Sequence, residues 1–438
     1  MFQVMVSRNL LQGKKLLCTP RSPWAWFAVG WVVGSSPGLA CRPELAIPHD
    51  TPSTIHGPPH PLRHVRVCIA NGIGQLTIRG NSGLLLESDP PSTATSPNPM
   101  SEIRLVADGS GGIRLNENLV LTGPIVVRAH TDHSLSVVLG PESEESLSRT
   151  YSGFLRIVPR QDGLITVVNH VDVETYVSCV VAEEVWPTFE PEVFLAQAIV
   201  ARTFVLYQMK RQQNQVFDVS ATQGSQVYRG LREDVTARRA ENATQRTRGM
   251  VCAWSDGGRD QLFCTYYSAA CGGKSQSAAI FGVESAVPPL VGGVSCDYCR
   301  IAPAEVYRWG PLSLSKSEVC RRLATRQPEF AELGSIVDIR PSEVAEDRLV
   351  RLTVSGSLGS SRDILAERFR IFIGGTIMRS TACGIQVSGE EVVFRGGRGF
   401  GHGLGLCQWG AQGQALQGRP ALDILAFYYP GSKTIRAY

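Results

Sequence analysis

Residues 169–211 read NHVDVETYVSCVVAEEVWPTFEPEVFLAQAIVARTFVLYQMKR, and this stretch decides the fold. It holds two helical segments, Asp172 to Val185 and Pro191 to Arg211. In the second, Val193, Ala196, Val200, Phe204 and Tyr207 recur at steps of three and four, the period of one helix face. Pro191 suits the first helical position, where its missing amide hydrogen removes no intrahelical bond. Trp186-Pro187-Thr188-Phe189 interrupts the two as an apolar break.

Upstream the pattern changes period. From His64 to about Asn169, short runs rich in β-branched residues, such as Val65–Ile69, Gln75–Ile78, Ile103–Val106 and Ile125–Val127, are separated by Gly, Asn and Asp turns. Ser88 to Ser101 carries four prolines and reads as a loop, and residues 42–64, rich in Pro and His, read as a tether. Ahead of it, Lys14, Lys15 and Arg21 precede the apolar run Trp24–Val33, and small residues lead to Ala40 and Cys41. That is the layout of an export signal; an uncleaved membrane anchor and a lipidated Cys41 are the alternatives. An exported protein of the periplasm or cell envelope is expected, touching the membrane only through this segment. Downstream, residues 250–310 mix short strands with Gly turns, residues 340–400 read as strands, and Pro420–Tyr429 reads as a helix closed by Pro430-Gly431.

The division expected is therefore 1–40 signal or anchor, 41–64 linker, 65–168 β-rich, 169–310 helical core with a cysteine cluster, and 311–438 C-terminal part. The class is α+β. With 438 residues, 43% hydrophobic and 19% charged, the chain is long enough to bury a core without staples and is not disordered as a whole. A net charge of +4 without a basic tract argues against a nucleic-acid partner.

Two segments together carry a resemblance. One is Asn169–Tyr176 through Glu184, with Ala196-Gln197-Ala198 and Ala201-Arg202-Thr203. The other is Gly399–Ala411, containing Gly401-His402-Gly403 and Gln408-Trp409-Gly410-Ala411, followed by Phe427-Tyr428-Tyr429-Pro430-Gly431. Between them, in order, lie Gln226-Val227-Tyr228-Arg229-Gly230, Cys271-Gly272-Gly273-Lys274, Phe369-Arg370 and Arg379-Ser380-Thr381. Over about residues 65–438 the chain resembles the SpoIID/LytB family (stage II sporulation protein D-like) of bacterial cell-wall proteins. The resemblance implies a peptidoglycan lytic transglycosylase acting on glycan strands stripped of stem peptides; some members are instead enhancers of a cell-wall amidase.

The family's catalytic glutamate matches Glu184 in Val180–Val185. Breaking a glycosidic bond needs a proton delivered to the leaving oxygen, and a carboxylic acid of raised pKa is the usual donor. Val185, Trp186, Pro187 and Phe189 offer apolar surface to desolvate it. Glu183 points about 100° away on a helix, so the two do not make a facing hydrolytic pair; Glu183 is expected to be a solvated helix residue. A single acid fits attack by the sugar's own 6-hydroxyl, with Glu184 acting as acid and then base to leave a 1,6-anhydromuramoyl end. The family often has Pro-Ser at Ala182-Glu183 and Met at Val185.

Arg202 is a candidate for binding substrate or orienting the glutamate, with a surface ion pair as the alternative. Gln226 and Tyr228 could hydrogen-bond and stack on sugar, or be core. His402 lies between glycines that let backbone approach a ligand, and Gln408 follows closely as a further substrate-binding candidate. The Gly-rich run lacks the strand-then-helix context of a dinucleotide loop.

Cys264, Cys271, Cys296 and Cys299 form a possible ligand set, with Cys296 and Cys299 at a spacing zinc accepts. Some family members hold zinc here with a histidine, whose position is Ser268 in this chain. Disulfides and free thiols are the alternatives. Four cysteines leave no open position, so a zinc ion would be structural. Cys407 and Cys383 read as buried packing.

Overall fold

A computed structural model describes residues 64–89, 99–116, 119–140, 147–278, 287–291 and 293–438. The expected signal or anchor, the tether up to residue 63 and most of the Ser88–Ser101 loop lie outside these residues. No helix among the described residues is long and apolar enough to cross a membrane.

The β-rich region forms one eleven-stranded sheet. Its middle runs through the strands His64–Ile73, Ile165–Asp172, Phe154–Pro159, Ile125–Ala129 and Gln75–Ser88, paired antiparallel in that order. The long strand Gln75–Ser88 changes partners along its length. Its first half pairs with Met100–Ala107 and Ser134–Leu139, and Leu84–Ser88 pairs with Ile125–Ala129. Alternating residues such as Val65, Val67, Leu76, Ile78, Leu84 and Leu86 are buried, as period-two patterning requires of a sheet with one covered face.

The strand Ile165–Asp172 feeds directly into helix α1 (Val173–Glu184). Asp172 caps it, its Oδ1 accepting from the amides of Glu174 and Thr175 at 2.9 and 3.3 Å. Helix α2 (Pro191–Arg211) follows, its buried residues running almost all round, so it forms the centre of the main core. Both helices lie where the sequence places them. Helix α3 (Val235–Arg246) packs on α1 and α2 and was not anticipated; its buried face is small, Ala240 and Ala243 with Thr236 and Thr244.

Residues 308–398 form an inserted module. Its entry and exit, Arg308-Trp309 and Gly397-Arg398, pair antiparallel, and it has its own core, including Trp309, Val319, Leu352, Phe369 and Phe394. Residues 340–400 are not strands throughout: Ala366–Ile373 is a helix, burying Ala366, Phe369 and Ile373. After the module the chain returns to the main core as the helices Gln408–Leu416 and Ala421–Tyr428.

Candidate active site and cysteine centre

Glu184 is the last residue of α1. Val185 is already extended (φ −94°, ψ 136°) and ends the helix. The Glu184 side chain is half-buried, and its Oε1 accepts the Val227 amide at 2.9 Å. Burial pushes its pKa up to about 7; the Val227 amide and the Tyr267 hydroxyl pull the other way, and the Glu183 charge adds a further rise. Tyr267 pairs in parallel with Leu406. Its hydroxyl is buried and acts on the Glu184 carboxyl.

The turn that follows Glu184 packs its aromatic rings on Trp409. Trp409 stands 6.2 Å from Trp186 and 4.8 Å, edge-on, from Phe189. Val185 and Phe189 are buried, whereas Pro187 and Thr188 are exposed. The helix Gln408–Leu416 clamps this turn. Gln408 Nε2 donates to the Glu184 carbonyl at 3.1 Å and to Gln197 Oε1 at 3.3 Å, and Gln412 Oε1 accepts the Glu190 amide at 2.7 Å.

Several expected roles need correction. Glu183 is not solvated: its side chain is 5% exposed and pairs with Arg232 at 2.8 Å and Arg229 at 3.6 Å. Arg202 has its ionic contacts at Glu174 rather than at Glu184. It is fully buried, bridging Glu174 through Nε at 3.0 Å and Nη2 at 2.6 Å and donating to the carbonyls of Thr244 and Met250. It faces the start of α1 because it lies across the core from that turn. Tyr228 is core: its hydroxyl donates to Asn169 Oδ1 at 2.7 Å and its ring lies between Tyr151 and Tyr176. Gln226 is fully buried, accepts from the Tyr176 hydroxyl, and precedes the residue whose amide donates to Glu184. Gln408 holds backbone rather than an open face. His402 is half-buried, packs edge-on against Tyr266 at 5.9 Å and accepts the Leu404 amide through Nδ1. Desolvation pushes its pKa down to about 4, so the ring is neutral near pH 7.

The sulfurs that converge are those of Cys271, Cys296, Cys299 and Cys407, all within 4.8 Å of one another. Cys264 is not among them; it is buried beside α2, where Gln208 Nε2 approaches its sulfur at 3.8 Å. Cys407 instead completes the set, because it caps the helix Gln408–Leu416 with its sulfur turned toward the Cys271 loop. The Cys271–Cys299 sulfur separation is 3.7 Å. A tetrahedral zinc site with bonds of about 2.3 Å has sulfurs roughly 3.8 Å apart, whereas a disulfide brings them to about 2.0 Å. Hydrogen bonds from Cys271, then Cys299, hold the Cys296 thiol well below the ordinary thiol range, and the amides of Cys271 and Gly410 both point at the Cys407 sulfur. Gly410 has to be glycine, since a Cβ there would stand 2.7 Å from the Cys296 sulfur and 2.0 Å from the Tyr428 hydroxyl. The donor set, spacing and burial fit a metal ion held by four cysteines.

Residues 161–254 match the family described as SpoIID, stage II sporulation protein. The chain is 31% identical over 333 residues to an uncharacterized protein of Brachyspira hyodysenteriae, covering 76% of this chain and 82% of that protein. It is 25% identical over 285 residues to stage II sporulation protein D of Bacillus subtilis, covering 62% of this chain and 76% of that protein. Over 72 residues it is 36% identical to an amidase enhancer of Bacillus subtilis, 16% of this chain and 10% of that protein.

Proposed function

Because the chain belongs to the SpoIID/LytB family, we propose that it is an exported cell-wall protein that cleaves peptide-free peptidoglycan strands as a lytic transglycosylase. The observation that carries this reading is the Glu184 carboxyl, raised to about 7 by burial and so protonated in a useful fraction at neutral pH. Glu184 gives its proton to the glycosidic oxygen as the bond to the anomeric carbon breaks. The 6-hydroxyl of the same muramoyl residue attacks that carbon, and the Glu184 carboxylate takes the hydroxyl proton. The product is a 1,6-anhydro end, water is not consumed, and the acid is regenerated. The Val227 amide stabilises the carboxylate between the two transfers.

Glu183 does not supply a second catalytic carboxylate in this scheme, because Arg229 and Arg232 occupy it. In this reading the Trp186–Trp409–Phe189 cluster in the turn after the acid offers aromatic surface to a sugar face. Cys271, Cys296, Cys299 and Cys407 would hold a structural zinc ion in this reading, and their shared ligation would tie the Cys271 loop to the helix that clamps Glu184.

The local likeness to an amidase enhancer favours a second reading, a wall-binding protein that stimulates an N-acetylmuramoyl-L-alanine amidase without cutting glycan. Mass spectrometry of products from purified peptide-free glycan separates the two. Wild type releasing anhydro-sugars while Glu184→Gln releases none supports the enzyme. No anhydro product from either, with amidase stimulation intact in both, sinks it.

A further inference from the structure

Arg348 is 3% exposed, yet among the described residues it has no carboxylate partner. It lies just past the turn of the hairpin formed by Ile336–Ala345 and Arg348–Gly356, in which Glu346 and Asp347 take left-handed backbone angles (φ 51° and 61°). The hairpin belongs to the inserted module, but its turn docks on the cysteine loop of the main core. Glu346 pairs with Lys274 at 3.7 Å and Asp347 with Arg398 at 3.5 Å. Arg348 Nη2 donates to the Cys271 carbonyl at 2.5 Å, while Nη1 is buried without a partner. Glu367, the acid that acts on it at longer range, is already engaged by Arg370 at 2.6 Å. Gly403 leaves the room for it: a Cβ there would stand 2.6 Å from Nη2.

A buried guanidinium with no counter-charge is costly, and a structure that keeps one has a negative group to set against it. Here the place for it is the cysteine centre, because Arg348 donates to the backbone carbonyl of Cys271, one of the four residues whose sulfurs converge. A divalent ion held by four thiolates carries a net charge of −2, which the surrounding protein must offset. We infer that Arg348 is the counter-ion of the four-cysteine metal centre, a positioning residue rather than a ligand, and that it couples metal loading to docking of the inserted module. This rests on the metal reading of the cysteine cluster.

The test is zinc competition against a chromophoric chelator on the full chain, with wild type, R348K, R348Q and R348M, alongside thermal melts of the metal-free proteins. Gln can keep the hydrogen bond to the Cys271 carbonyl without the charge, and Lys keeps the charge. Outer-shell partners of metal ligands typically contribute about 10–100-fold in affinity. The expected result is near-wild-type affinity for R348K and losses of that order for R348Q and R348M, while metal-free R348Q melts no lower than metal-free wild type. If R348M does not fold, R348Q alone decides. Zinc bound by wild type and equally by R348Q overturns the counter-ion role. A wild type that binds no zinc overturns the metal reading itself, and this inference with it.

Discussion

The side-chain amide of Gln408 donates to the backbone carbonyl of Glu184 at 3.1 Å, joining residues 224 positions apart. The carbonyl belongs to the frayed end of α1, where the last helical C=O groups have no intrahelical partner. The same amide reaches Gln197 on α2. Three segments thereby share one donor, and the position of the acid depends on a helix contributed from the far end of the chain. Q408L should leave the Glu184 carbonyl unpaired, costing about 1–3 kcal/mol of stability. It should also cut glycan cleavage more than glycan binding. Urea titration and a pull-down on peptide-free glycan measure the two effects.

The raised pKa of Glu184 sets the direction of the pH profile. Only the protonated acid begins the proposed reaction, so cleavage should be highest below about pH 7 and fall about tenfold per unit above it. The Tyr267 hydroxyl draws that pKa down, so Y267F should move the alkaline limb to higher pH. Initial rates from pH 5 to 9 decide this; an unmoved limb removes Tyr267 from the site.

Metal content discriminates the two candidate cysteine sets. C407S should lose bound zinc and lower the melting temperature, whereas C264S should keep its zinc, because Cys264 stands beside α2 and away from the other sulfurs. Elemental analysis of the purified variants reads this without any assay of activity.

The helices around the acid were legible because their signals are local. The apolar steps from Val193 to Tyr207 and Pro191 at the first position suffice to mark α2. The motif Val180–Val185 points to Glu184, and the structure sets that residue at the end of α1 with its Oε1 on the Val227 amide. What failed was distance. Arg202 and Tyr228 occur in motif segments, but their partners Glu174 and Asn169 are chosen by packing across the core, which no spacing encodes. The Val227 amide is invisible for a simpler reason, since a backbone donor has no side-chain signature. Cys407 was misread because its three partners lie more than a hundred residues away, while Cys264 is near them in sequence and apart in space. Helix α3 gives only a weak apolar pattern, its buried face being Ala and Thr; Asp234 at its cap, accepting the Ala237 amide, is the signal that could have found it.

Arg202 supplies a test of structural against catalytic importance. Removing one partner of a buried ion pair typically costs about 3–5 kcal/mol. R202M should therefore unfold at much lower denaturant, and the fraction still folded should cleave glycan at the wild-type rate per molecule. A folded R202M with no activity would return Arg202 to the active site.

Glu174 and Glu184 stand at opposite ends of α1 and should give opposite pH signatures. Burial by itself would raise the Glu174 pKa, but hydrogen bonds and charge from Arg202 outweigh it and hold the carboxyl below its ordinary 4.5. The folded state therefore binds the Glu174 proton less readily than the unfolded chain. Its stabilising contribution is present above about pH 4.5 and is lost as the pH falls through the lower, folded value. Glu184 has its folded pKa raised from 4.5 to about 7. The folded state binds that proton more readily, so ionisation destabilises it progressively between those values and fully above the upper one. E184Q should thus be more stable than wild type at pH 8, by roughly 1–3 kcal/mol, with the gain fading as the pH drops toward 4.5. E174Q should be less stable than wild type at pH 8, and its deficit should shrink only below about pH 4.5. Guanidinium titrations of the three proteins at pH 4, 6 and 8 measure both trends, and an E184Q gain that persists at pH 4 would remove the raised carboxyl on which the proposed chemistry depends.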